Sequence, residues 1–300
     1  MGTNAWRSGA DAGESPDMAW RMACAHDIAR GYTQNSRLTA LTVAGSVGAG
    51  LADRWSDLEL DCYWLQAPTD ADRRTPIDRA GAVLAAFWEY DPDDREWSED
   101  YRVGSLPVTV SNFTVESIEE MLAAVVDNAD TDPVKHMRLA AVQNCVPLRG
   151  ADIVELWRSR AAGYPDALVD AMVSRWLAPG ILAGWSARDA LASRGDEIAI
   201  RGMLSRIENA LLGALLALNR TYVPHRLAKW QGRLIDRLRL APDDFAERID
   251  DLWRHSMSHA LDGAESLLDD TVDLVAQHTT ADLTEFREAL ADSRRPIDQG

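Results

Sequence analysis

An α/β layer followed by an all-helical bundle is the fold class that this 300-residue sequence predicts. Three observations lead there. Short apolar, β-branched runs alternate with helix-periodic segments up to about residue 130. Beyond that point almost every segment has helical periodicity and strand signals nearly vanish. Several of these later segments begin at or near proline, whose missing N–H costs nothing in a first helical turn.

The elements follow in order. Residues 18–30 are helical in pattern, and Leu38-Thr-Ala-Leu-Thr-Val43 is a strand that stops at Gly45. Residues 57–65 form a second strand, with Leu58, Leu60, Cys62 and Trp64 on its apolar side. Residues 76–90 are expected to be a helix and residues 106–111 a third strand. Thr114 or Ser117 then caps a helix reaching about Val126, and Ser117 with Glu120 fits a capping box. Helical periodicity runs through 133–145, 152–161, 165–177, 196–218, 224–238, 242–255 and 258–277. The 196–218 segment has an apolar stripe broad enough for a central bundle helix. The expected division is a polar leader at 1–16, a catalytic α/β domain at 17–135 and a helical bundle at 136–300.

Composition narrows the function. No run of 18 apolar residues occurs and the first residues lack a signal-peptide core, so no membrane partner is expected. Cys24, Cys62 and Cys145 are scattered and not in metal-ligand spacing, which suits a reducing cytoplasm. A net charge of −17 favours solubility, repels nucleic acid and attracts cationic small molecules such as amino sugars.

The chemistry centres on two neighbouring segments. Val43-Ala-Gly-Ser-Val-Gly-Ala-Gly50 ends a strand in a glycine-rich turn, where backbone N–H groups and the Ser46 hydroxyl are available to phosphate oxygens. It is not a Walker loop, since no Gly-Lys-Ser/Thr follows. On the next strand Asp57 and Glu59 are two apart and project from one face, with Asp61 a step further. Carboxylates this close repel unless a cation sits between them, and Mg²⁺ needs few protein ligands when phosphates supply the rest. The plainer alternative is an exposed strand dotted with acids.

Gly45-Ser46 followed by Ser56-Asp57-Leu58-Glu59-Leu60 resembles the Gly-Ser…Asp-x-Asp/Glu signature of the polymerase-β-like nucleotidyltransferases, and the Asp-x-Glu variant is similar to the kanamycin-type aminoglycoside enzymes. Residues 107–116 resemble the third catalytic strand and the helix after it. Arg194-Gly195-Asp196, Leu218-Asn219-Arg220-Thr-Tyr222 and Lys229-Trp230 resemble the helical half of small bacterial nucleotidyltransferase-like proteins. The resemblance implies a small mixed sheet with flanking helices before the bundle. It implies that Gly45 and Ser46 hold phosphates and that Asp57 and Glu59 ligate Mg²⁺. It also implies that Arg194 and Lys229 contact the triphosphate from the helical side. The reaction implied is transfer of a nucleoside monophosphate, AMP in the first instance, from ATP or another NTP to a hydroxyl.

The sequence departs from the family at Thr109, which stands where the third carboxylate is expected. Asp61 could supply the charge, or an acid of the helical half, Asp196, Glu197 or Glu208, could complete the catalytic set. Otherwise the fold is degenerate and binds a ligand without nucleotidyl transfer, or serves other chemistry in a biosynthetic pathway. Two active readings stand beside it, with a small-molecule acceptor or a protein acceptor. Trp55 could stack on a base or acceptor, and Trp64 reads as core. His255 and His259 are one helical turn apart without an evident third metal ligand, so a surface or capping role is expected.

Overall fold

The computed structural model describes residues 16–32, 34–225 and 229–291; the expected leader lies outside them, apart from Pro16. The chain separates into two compact units, the first running to Asp127 and taking in Val134–Gly163, the second comprising Asn128–Pro133 and the chain from Tyr164.

The first unit is built on a mixed six-stranded sheet. Its elements are α1 (Pro16–Tyr32), β1 (Leu38–Val43), a short helical turn α2 (Gly45–Gly48), β2 (Leu58–Trp64), α3 (Asp70–Arg79), β3 (Val83–Phe87), β4 (Trp97–Val103), β5 (Leu106–Thr114), α4 (Val115–Leu122), α5 (Pro133–Asn144), β6 (Val146–Arg149) and α6 (Ala151–Ala161). The strand order is β3-β4-β5-β2-β1-β6. β2 and β5 are parallel and the other neighbours antiparallel.

Alternation along the strands gives the sheet two unlike faces. Leu41, Val43, Leu58, Leu60, Cys62, Trp64, Val108 and Val110 form one, and they pack with Ala25, Ile28 and Tyr32 of α1 and Ile77 of α3 into the core. Glu59, Asp61, Thr109 and Ser111 stand on the other, with Tyr63 packed edge-on against Trp157 of α6 at 5.0 Å. The apolar side expected of β2 is buried as a row, Trp64 included.

One polar network crosses the core. Arg73 Nε donates to Glu99 Oε2 at 2.9 Å, and both side chains are almost wholly buried, at 1% and 0% exposure. Asn112 donates to the same carboxylate and accepts from Trp64 Nε1 at 2.9 Å. The Arg73 guanidinium also reaches the Trp88 and Ser98 carbonyls and lies 3.8 Å from the Phe87 ring centroid. It thereby ties α3 to β3 and β4, and Glu99 carries the network on to Asn112 of β5.

The expected helix at 76–90 is corrected. A capping box on Thr69 and Asp72 starts α3 at Asp70, and Gly81 ends it in the left-handed conformation at φ 63°. Residues 83–87 then pair antiparallel with β4. Apolar runs this short fit either period, and the pairing with Trp97–Val103 settles it as a strand. At β5 the cap is Thr114, whose hydroxyl accepts from the Ser117 N–H, while the Ser117 hydroxyl donates back to the Thr114 carbonyl. The first unit also extends past residue 135, because α5, β6 and α6 pack with the sheet and β6 pairs with β1.

The second unit is helical: α7 (Asp166–Trp176), α8 (Arg188–Arg194), α9 (Glu197–Leu218), α10 (Gln231–Ile235), α11 (Phe245–Arg254), α12 (Met257–His278) and α13 (Thr284–Ala291). α9 is its centre, packed by α7 and α12, with a continuous buried run from Ala210 to Leu218. Gly213 lets the Trp176 ring lie against the helix, where a Cβ would overlap it. Of the helix expected at 224–238, residues 226–228 lie outside the described residues. Among the rest only Gln231–Ile235 is helical, entered through a left-handed Trp230. Asn219 holds the far end of that connection, accepting from the Arg239 and Leu240 N–H groups and donating to the Leu240 carbonyl. Among the described residues no helix is long and apolar enough to cross a membrane.

Candidate functional site

The glycine-serine turn and the acidic strand meet directly. The Ala44 N–H donates to the Glu59 carbonyl at 2.9 Å, which lays the turn beside β2. Gly45 has φ 57°, and a Cβ there would overlap Oε2 and Cδ of Glu59. Glycine is therefore required twice, for the backbone and for the space. Backbone bonds from Ala49 to the Gly45 carbonyl and from Leu51 to that of Ser46 close the turn.

Asp57 is the last residue before β2, at the end of a tied loop. Asp53 Oδ1 accepts from the Trp55 N–H and the Ser56 hydroxyl, and the buried Arg21 of α1 donates to the Ser56 carbonyl at 2.9 Å. The loop holds Trp55 out into solvent at 79% exposure, with the Arg54 guanidinium 4.7 Å from its ring centroid.

Register aligns the polar face. Glu59 lies opposite Thr109, and Thr109 opposite Asp100 of β4. The expected third carboxylate is absent from β5, and the Thr109 hydroxyl donates to Asp100 Oδ1 at 2.7 Å. One step along the sheet, Asp61 is buried and accepts from the Tyr63 hydroxyl at 3.2 Å and from Arg138 Nη1 at 3.4 Å. Arg138 Nη2 donates to Glu96 at 3.0 Å, and its guanidinium lies 4.0 Å from the Phe113 ring centroid. Asp61 is thus committed to an internal ion pair. Burial pushes its carboxyl up, and Arg138 and Tyr63 draw it back.

Burial also pushes Glu96 up to about 7, opposed by Arg138 and reinforced by Asp61, and pushes Glu99 to about 7 against the pull of Arg73. Both values lie above the ordinary 4.5, so the folded chain holds these protons more tightly than the unfolded one. Their contribution to stability is full below the unfolded value and is lost as pH rises through the folded one, on the order of 2–3 kcal/mol for each group. Urea midpoints are expected to fall between pH 5 and 8. Glu96→Gln reduces that slope; an unchanged slope would show that Glu96 does not titrate there.

A cavity of about 490 Å³ adjoins this cluster, lined by Trp88, Tyr90, Asp91, Asp94, Glu96 and neighbouring residues of the β3–β4 connection. Sequence reasoning missed Glu96, Asp100 and Arg138. The first two lie in a hairpin whose second strand, Trp-Ser-Glu-Asp-Tyr-Arg-Val, has no regular alternation to mark which side chains share a face, and nothing local to α5 distinguishes Arg138 from a surface arginine.

The helical-side candidates belong to the second unit. Arg194 ends α8 and Asp196 precedes α9; both are exposed, as is Lys229. Glu197 is exposed and paired with Arg201 one turn on. Glu208 is engaged inside the unit, accepting from Trp253 Nε1 at 2.9 Å and from the Gln231 amide, and burial raises its carboxyl. Arg220 of the Leu-Asn-Arg segment is structural, donating to the Tyr164 carbonyl and to Asp166. His255 and His259 meet edge to face with ring centroids 4.6 Å apart, and His255 lies beside Asp251. Among the described residues no three His, Cys, Asp or Glu side chains form a ready metal cage.

Residues 133–231 match a family described as a domain of unknown function, DUF4037. No curated protein matches the chain. Among solved structures the chain is similar to a nucleotidyltransferase-like protein from Exiguobacterium sibiricum 255-15, at 13% identity and a TM-score of 0.38, with 85% of this chain and 77% of that one covered.

Proposed function

We propose that the protein is a nucleotidyltransferase that binds a nucleoside triphosphate, ATP in the first instance, with Mg²⁺ and moves its nucleoside monophosphate to a hydroxyl of a cationic small molecule. The observation behind this reading is the Glu59 carboxyl seated against Gly45, in a cradle that a Cβ would fill. It brings the glycine-serine turn and the Asp-x-Glu strand, eleven and more residues apart in sequence, into one place.

The residues fit Mg²⁺. The ion takes one or two carboxylates and completes its shell with water and phosphate oxygens, so a pair at Asp57 and Glu59 suffices without a third protein ligand. When bound there it supplies charge neutralisation at the phosphates and a Lewis acid for the leaving group. Gly45 and Ser46 hold the phosphates through backbone and hydroxyl donors. Trp55 offers an exposed aromatic face to a base or acceptor. For the acceptor, the acidic, aromatic-walled cavity beside Glu96 suits an amine-bearing compound of the amino-sugar kind.

A thermal-shift panel of the four NTPs with Mg²⁺ tests the reading. A nucleotide at a hundred times its Kd adds about 2.7 kcal/mol to stability. The shift is expected for wild type and is lost in Asp57→Asn; no shift with any NTP refutes nucleotide binding. Pyrophosphate release with an amino-sugar panel then separates transfer from binding alone. The absence of a carboxylate at Thr109 favours binding alone as the second reading.

A further inference from the structure

Arg138 brings a fixed positive charge onto the acidic face. α5 holds it there through the buried side chains of His136, Leu139, Ala140 and Val142. Its guanidinium is paired with Asp61 on β2 and with Glu96, the residue just before β4, and it interacts electrostatically with Glu59. All three partners are carboxylates, the Arg138 side chain is only 18% exposed, and the Phe113 ring closes one side of its plane. An arginine in this position does not lose its proton, and its planar fork can serve two carboxylates at once. Asp61 and Glu96 are therefore already held by a cation that the chain itself supplies. A divalent ion placed between Asp61 and Glu96 would face a like charge in a poorly solvated place.

We propose that Arg138 takes the place of a second cation, so that the sheet face binds one divalent ion, at Asp57 and Glu59, and no more. This rests on the reading that Asp57 and Glu59 hold a divalent ion. It makes Arg138 a positioning residue: it keeps Asp61 and Glu96 off the bound ion and leaves single-ion chemistry, in contrast to paired-ion clamps in which two metals share the charge.

The number of ions decides it. Mn²⁺ alone is titrated into the whole chain at physiological ionic strength, and free Mn²⁺ is counted by electron paramagnetic resonance. Asp57→Asn serves as the baseline for ions held diffusely by the acidic surface. Wild type is expected to hold one ion above that baseline. Arg138→Gln is expected to hold two, because Asp61 and Glu96 lose their guanidinium, and Arg138→Lys is expected to stay at one. Two ions in wild type, or one in a folded Arg138→Gln, overturns the proposal. Circular dichroism checks that the variants fold; if Arg138→Gln does not, the wild-type and Arg138→Lys counts decide, one in each supporting the proposal and two in either overturning it. One ion in both wild type and Arg138→Gln sinks this inference and leaves the Asp57–Glu59 site standing. No ion above baseline in wild type sinks both.

Discussion

Gly45→Ala is expected to destabilise the sheet unit by about 2–4 kcal/mol and to abolish any Mg²⁺-dependent nucleotide shift. Two causes act together. The backbone is held at φ 57°, where a side chain costs energy, and the new methyl group would occupy the place of the Glu59 carboxylate. Relief requires Glu59 to swing away, which removes one of the two candidate metal ligands. Denaturant unfolding measures the first effect and thermal shift with ATP and Mg²⁺ the second. Gly50→Ala is the control: φ is 72° but no atom stands within 4 Å of its Cβ, so it meets the backbone cost alone. Equal losses in the two variants would show that the Glu59 contact has no energetic weight.

Arg73→Ala is expected to cost about 3–5 kcal/mol, because it leaves the Glu99 carboxylate buried without its partner. The loss is greatest above pH 7, where Glu99 is charged, and smaller near pH 5, where it takes up a proton. Arg73→Met with Glu99→Leu is expected to recover much of the stability, since a buried pair replaced by apolar groups of similar volume is often neutral. Urea midpoints at the two pH values measure all of this. A cost below about 1 kcal/mol at pH 8 would place Arg73 among ordinary exposed pairs and contradict its burial.

The network around Arg73 also explains what the sequence concealed. Glu99 lies inside, between residues that look like a polar loop, so Trp97–Val103 shows no apolar alternation to announce a strand. Its partner at Val83–Phe87 then reads equally well as the end of a helix. β6 is four half-buried residues, one of them a proline, and becomes a strand only by pairing with β1. Arg138 and Glu96 come from segments 42 residues apart, and no local pattern marks either as facing Asp61.

What the sequence alone determined were the features with short-range causes. β1, the apolar row of β2, a helix cap at Thr114 or Ser117 and the helices at α9 and α12 follow from periodicity and capping within a few residues. Gly45-Ser46 and Asp57-Leu58-Glu59 were likewise legible as a motif. Only the tertiary structure decided that the Glu59 carboxyl seats against Gly45, that Asp61 is neutralised by Arg138, and that Thr109 faces Asp100. Each of these depends on sheet register and on burial, which change the energy of a charge far more than any neighbour in sequence does.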